Sequence, residues 1–203
     1  MNNVKETIRK KRSHPKLGDE EFDKIYSPKF LSLSYRHFTQ IRSARLAIQL
    51  IGDSPAISIL DIGSGIGKFC HVGSQLSKCK FTGVELRDDF YNEAMRVATE
   101  LNYNAPSFIH GSFTSIDFKM FNAFYFFNSF EEYYNPDCII DDKTVKSLEL
   151  YNELKLKLKE KLNEATPGSR LITYYVKLGH VPDTYHLKFS AEDGHMKLWV
   201  KEE

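Results

Sequence analysis

Apolar positions recur with two periods along the chain, and the switches between them mark the elements. Phe38, Ile41, Ala44, Ala47, Ile48 and Ile51 fall three and four apart, the spacing of one helical face. Pro28 is tolerated in a first helical turn and Ser27 can cap it. These signals predict one amphipathic helix of about five turns, closed by Gly52 and Pro55. Ile57 to Asp61 is a short apolar run of strand type, followed by a helix from Lys68 to Leu76. Lys80 to Glu85 reads as the second strand and Asp88 to Leu101 as a helix, with Asp88 or Asp89 as its cap. Ser107 to His110 is a third strand. Ala123 to Phe127 is a fourth, apolar throughout as a strand covered on both faces should be. From Lys143 to Asn163, Val145, Leu148, Leu150, Leu154, Leu158 and Leu162 recur between lysines and glutamates. The run covers only about three heptads, so it predicts a surface helix with core contacts rather than a zipper. Pro167-Gly168 turns into a fifth strand, Arg170 to Val176. Thr184 to Phe189 and His195 to Val200 alternate around Glu192-Asp193-Gly194, the signature of a hairpin.

Strands and helices alternating in this way predict an α/β fold, a three-layer Rossmann-like sandwich. Its sheet is mostly parallel, with right-handed crossovers and an antiparallel C-terminal hairpin. Residues 21–203 form a single domain, of which 21–55 is an N-terminal helical segment. Residues 1–20 form a flexible arm in which Lys5, Arg9, Lys10, Lys11 and Arg12 cluster.

Composition narrows the function classes. The formal net charge is +1, so no global field draws the chain to nucleic acid or to an anionic membrane. No apolar run approaches the roughly 20 residues of a membrane span, and the basic start lacks the apolar core of a signal peptide. A cytoplasmic location is the default expectation. Cys70, Cys79 and Cys138 have neither pairing nor metal spacing and are expected to be buried, inert thiols. No His, Asp or Glu cluster has metal-site spacing, and surface or structural roles are expected for His180 and His186.

The chemistry concentrates after the first strand. A sheet of this kind binds ligands beyond the carboxyl ends of its strands, near the switch point. The turn there is Asp61-Ile62-Gly63-Ser64-Gly65-Ile66-Gly67. Its glycines allow a sharp turn and close approach to a ligand, and the following helix offers free N–H groups. Asp61 can accept a hydrogen bond from a ligand ammonium. Glu85, at the end of Gly83-Val84-Glu85, can accept both hydroxyls of an adenosine ribose. The glycine spacing departs from the dinucleotide pattern, which would place a glycine where Lys68 stands. That departure and the terminal hairpin favour S-adenosylmethionine over NAD.

These motifs resemble the class I methyltransferases that use S-adenosylmethionine (SAM). The resemblance covers about residues 56–201. It implies a seven-stranded sheet with an antiparallel last strand. It implies that Asp61, Gly63 and Gly65 flank the methionine moiety and that Glu85 holds the ribose, with Ser64 and Gly67 also in the cofactor-binding turn. The family often places an acid after the third strand for the adenine amino group, where this chain has Gly111-Ser112-Phe113. Ser112 can accept that hydrogen bond, while Phe113 or Leu86 packs on the ring. Tyr26 and the Ser27-Pro28 turn either fold over the cofactor as a lid or serve as a plain helix start.

The fourth strand runs into Asn128-Ser129-Phe130-Glu131-Glu132-Tyr133-Tyr134, opposite the methyl group. Asn128 offers an acceptor to an amine and can also touch the cofactor. Phe130 or Tyr133 offers a wall or a cation–π face, and Glu131 can attract a cationic substrate or act as a base. The Asn-Pro-Pro-Tyr of amino-methylating relatives is missing, which argues against a nucleic-acid base as the target. Asp61 to Gly67, Gly83 to Glu85 and Asn128 to Phe130 are also similar to the non-SET histone-lysine methyltransferases, implying an amine or protein-lysine acceptor. Methyl transfer from a sulfonium releases a neutral thioether and needs no acid, so no fixed triad is expected. Two alternatives stay open: an NAD-type oxidoreductase and a non-catalytic nucleotide-binding module.

Overall fold

The structure is a computed structural model that describes residues 18–101, 104–140, 147–177 and 179–203. The basic cluster of the arm and Val145 lie outside the described residues. Among the described residues four short helices come first: α1 (Asp19–Asp23), α2 (Pro28–Leu31), α3 (Ser34–His37) and α4 (Ile41–Ile51). The alternating core is β1 (Ser58–Ile62), α5 (Lys68–Leu76), β2 (Lys80–Glu85), α6 (Asp88–Leu101), β3 (Ser107–His110) and β4 (Ala123–Phe127). It is completed by α7 (Leu148–Glu164), β5 (Arg170–Tyr174), β6 (Tyr185–Ala191) and β7 (Met196–Lys201).

The seven strands lie in the order β3-β2-β1-β4-β5-β7-β6. The first five pair in parallel, β7 is antiparallel to β5, and β6 is antiparallel to β7 with a bulge between Leu187 and Phe189. This is the expected α/β sandwich with its terminal hairpin. The sheet has one side-chain period and two cores, because successive residues of a strand point to opposite faces. Ile59 of β1, Ala123 and Tyr125 of β4 and Ile172 of β5 pack with α1, α2, α4, α5 and α6. Leu60 and Ile62 of β1, Phe124 and Phe126 of β4 and Leu171 of β5 pack with Leu158 and Leu162 of α7. Phe113, Ile116, Phe118 and Phe121, from the tight turns after β3, fill the rest of the second layer.

Five expectations need correction. The five-turn helix is broken: Phe38 and Gln40 are extended, with ψ of 134° and 145°, and only Ile41–Ile51 continues as α4. Apolar spacing carried across the break because Phe38 and Ile41 enter the same core. Ser27 makes no cap with its own helix; its N–H and hydroxyl both donate to the Glu93 carboxylate of α6, at 2.5 and 3.0 Å. Residues 19 and 20 belong to α1 rather than to an arm. Lys68, nearly fully buried, anchors that helix through ion pairs with Asp19 and Asp23 at 2.7 and 2.6 Å. Finally, Leu148 of α7 is exposed, and Cys138, unlike Cys70 and Cys79, is only half-buried.

Candidate active site

The turn between β1 and α5 is shaped by backbone sterics. Gly63, Gly65 and Gly67 have φ of 72°, 57° and 79°, a left-handed region costly to residues with a Cβ. The intervening residues return the chain, so the turn folds back on the end of β2: Gly63 and Ser64 N–H groups both donate to the Val84 carbonyl at 3.0 Å. A Cβ on Gly63 would stand 2.5 Å from the Ser129 hydroxyl, which itself donates to the Ile62 carbonyl at 2.8 Å. The loop after β4 is thereby held directly over the glycine turn.

A cleft of about 1050 Å³ runs along the carboxyl ends of β2, β1, β4 and β5. Following the sheet order, it passes Glu85, Leu86, Ser112 and Phe113, then Asp61, Gly63, Ser64 and Gly65. It continues past Asn128, Phe130 and Glu131 to Tyr174 and Tyr175. Two of the residues expected there stand elsewhere. Tyr26 is buried in the first core with its hydroxyl 3.0 Å from Nδ1 of His71, so the lid reading of Tyr26 is replaced by a packing role. Gly67 backs onto the Phe108 ring rather than the cleft.

Two buried carboxylates dominate the floor. Asp61 is 4% exposed, and its side chain meets one hydrogen-bond donor among the described residues, the Cys70 thiol at 3.5 Å. Burial pushes its pKa up to about 8, the thiol opposes that only in part, and the nearby Glu85 charge adds to it. Burial also raises Glu85, opposed in part by backbone donors, Arg87 N–H and Gly65 N–H each at 2.8 Å, and by the Arg87 charge. The Ser64 hydroxyl is buried with no hydrogen-bond partner among the described residues, where a Cβ on Gly83 would stand 2.6 Å from it. An acid as poorly compensated as Asp61 is a site for a cation, and the Glu85 carboxylate beside it can accept from hydroxyl donors. Ser112 is partly engaged, since its hydroxyl lies 2.8 Å from that of Thr114 and caps the next turn. Phe113 is buried beside Phe130, with ring centroids 5.5 Å apart, while Leu86 is exposed at the rim.

At the end of β4, Asn128 has a φ of 42°, uncommon for a residue with a side chain and tolerated best by Asn and Asp. Its amide Nδ2 donates to Glu131, which also accepts from Asn135 Nδ2 at 3.0 Å and from the Tyr134 hydroxyl at 3.4 Å. Glu131 is therefore a tether for this loop rather than a free base. Phe130 is 5% exposed and packs on Phe126, so it supports the wall more than it presents a face. Arg87 pairs with Glu132 across the mouth.

Several lining residues were not legible in the sequence. The broken segment Arg36–Gln40 borders the cleft, with Phe38 buried and the Thr39 hydroxyl 3.1 Å from that of Tyr125. Tyr125 stacks on Phe69 at 3.8 Å. His37 titrates below its usual range because of burial and the nearby Arg36 and Arg87 charges. Only the break between α3 and α4 turns this segment inward, and helical periodicity hid that break. Among the described residues, no group of three His, Cys, Asp or Glu side chains is arranged to hold a metal ion, and no helix is long and apolar enough to cross a membrane.

The comparisons with known proteins bear on this geometry. No protein-family model matches the chain, and no curated protein matches its sequence. Solved structures do match. An RNA methyltransferase from Salinibacter ruber in complex with S-adenosyl-L-homocysteine has a TM-score of 0.60 at 16% identity, covering 82% of this chain and 94% of that one. A methyltransferase from Pyrococcus furiosus has a TM-score of 0.57 at 15% identity, covering 85% and 94%. TrmN from Thermus thermophilus has a TM-score of 0.55 at 15% identity; 87% of this chain covers 52% of TrmN. The fold is that of the class I methyltransferases. The cleft lies at the switch point of the sheet, between β1 and β4, where the strand order reverses.

Proposed function

We propose that this chain is a SAM-dependent methyltransferase. The observation that carries the reading is Asp61. A buried carboxyl whose one side-chain donor among the described residues is a thiol is destabilising in the free protein, and the cleft it faces suits a ligand ammonium that would ionise it. Glu85 stands two residues beyond the partner of Asp61 in the β1–β2 register, Gly83, at the place of a ribose-binding acid. Gly63, Ser64 and Gly65 would lie along the methionine part of the cofactor. Ser112, Phe113 and Leu86 would surround the adenine.

When bound, the cofactor supplies a methyl group on a sulfonium. What the chain contributes is placement and exclusion of water. Asn128, fixed by Glu131, leaves its amide oxygen available to an acceptor amine and orients the lone pair toward the methyl position. Phe130 and Phe113 keep that end dry. The acceptor on this reading is an amine, carried by a small molecule or a protein. The Salinibacter enzyme is named for RNA, so RNA belongs in the acceptor screen.

The test is equilibrium binding of SAM and S-adenosyl-L-homocysteine to the wild type and to Glu85→Ala. Loss of a ribose-binding carboxylate should weaken both by at least about tenfold. Unchanged affinity would show that the cofactor is placed wrongly.

A further inference from the structure

The far end of the cleft, beyond Asn128, carries features the cofactor does not use. Tyr175 directly follows β5 with a φ of 51°. A bulky residue in that region is an outlier, and such outliers gather at functional sites. Its N–H donates to the His195 carbonyl at 2.9 Å, and its ring stacks on the His195 ring at 4.3 Å and 22°. The ring is nonetheless 47% exposed and lines the cleft. The strain thus holds an aromatic face open instead of tucking it into the core.

Among the described residues five cations line the cleft; Lys68 and Arg87 are ion-paired with Asp19, Asp23 and Glu132, which leaves Arg36, Arg42 and Lys177. Each is engaged by neutral groups. Arg36 donates to the Asp137 carbonyl, Arg42 donates to the Gln40 amide oxygen at 3.0 Å, and Lys177 sits 4.5 Å from the centre of the Tyr134 ring. Glu131 is the nearby acid that acts on Lys177, and its oxygens are already taken by Asn128, Tyr134 and Asn135. The volume of about 1050 Å³ slightly exceeds what a single small ligand occupies, which leaves room for a second of modest size. A net charge of +1 supplies no field for a long polyanion.

Resting on the cofactor reading above, we propose that this end is the acceptor subsite. It takes a small planar aromatic acid, whose ring lies on Tyr175 and whose anionic group is met by Arg36, Arg42 and Lys177. An amino substituent on that ring would reach toward Asn128.

The experiment uses the full chain. S-adenosyl-L-homocysteine is titrated first; its failure to bind would count against the cofactor reading and not against this one. Binding of 4-aminobenzoate, 4-aminobenzamide, 4-aminocyclohexanecarboxylate and a hexauridylate is then measured by calorimetry or ligand-observed NMR, with S-adenosyl-L-homocysteine present if it binds. The aromatic acid should bind at least about tenfold more tightly than its amide or its saturated counterpart. Lys177→Met with Arg36→Met should abolish the preference for acid over amide. Tyr175→Gly relieves the backbone strain, so it should keep the melting temperature within a few degrees while weakening the aromatic acid about tenfold, and Tyr175→Phe should retain binding. Equal binding of the three small probes, no binding of the aromatic acid, or an unchanged affinity in Tyr175→Gly would each overturn the proposal. Tight, Tyr175-dependent binding of the hexauridylate alone would overturn it in favour of a nucleic-acid acceptor.

Discussion

Replacing Asp61 with asparagine should make the free protein more stable and the cofactor complex weaker. The carboxyl has a folded pKa of about 8 against an ordinary value of 3.8. Below about pH 4 both states hold the proton and there is no difference. Between about pH 4 and 8 the unfolded chain ionises and the folded one does not, so folding is penalised by about 1.4 kcal/mol for each pH unit. At pH 7 the penalty reaches about 4 kcal/mol, and it levels off above the folded pKa. Asparagine is isosteric and uncharged; allowing for the lost thiol contact and imperfect amide pairing, about 2 to 4 kcal/mol of stabilisation remains at pH 7. For a domain of this size that is roughly 5–15 °C in melting temperature. The assay is thermal or urea unfolding of both proteins from pH 4.5 to 8, read as the difference between them. Taking the difference matters, because His71, held neutral by burial with a pKa lowered to about 3, tilts the wild-type curve in the opposite sense below pH 6.5. A gap that does not widen with pH, or an Asp61→Asn variant less stable than wild type at pH 7, would refute the reasoning.

Other consequences follow from particular contacts. Because folded His71 does not take up a proton until about pH 3, it should remove up to about 1.4 kcal/mol of stability for each unit of pH below 6.5, against the opposite Asp61 contribution; the Asp61→Asn variant should therefore lose stability as pH falls below 6.5, and adding His71→Gln to it should flatten that slope in the same unfolding series. Lys68→Met strands Asp23 and should cost about 3 kcal/mol in urea unfolding, part of which Asp23→Asn should restore. Gly73 lies in a helix, where alanine is normally favoured, but a Cβ there would stand 2.3 Å from the Phe81 ring. Gly73→Ala should therefore destabilise by about 1 to 3 kcal/mol, and a gain in melting temperature would contradict the packing. Cofactor affinity should rise with pH between about 6 and 8 as Asp61 ionises more readily, with proton release seen as a dependence of calorimetric heat on buffer ionisation enthalpy.

The core elements were legible because each is signalled locally. Helices at Lys68–Leu76 and Asp88–Leu101 and strands at Lys80–Glu85, Ser107–His110 and Ala123–Phe127 fall where hydrophobic period and turn residues place them. The glycine turn and Asp61 were legible because an alternate-glycine run between a strand and a helix has few other uses. The N-terminal segment was not, because Phe38 and Ile41 keep helical spacing across a stretch whose backbone is extended, and nothing local marks the break. Tyr26 was misplaced for a related reason: its partner, His71, is 45 residues away. Tyr175 and the cations at the far end become a set only when β5 is laid beside β4.

The central claim is tested most directly by calorimetric titration of the full chain with SAM and with S-adenosyl-L-homocysteine, with NAD as the control. The account predicts micromolar binding of both sulfur ligands, lost in the Asp61→Asn variant, and no heat from NAD. Binding of NAD without SAM, or of neither sulfur ligand, would contradict it.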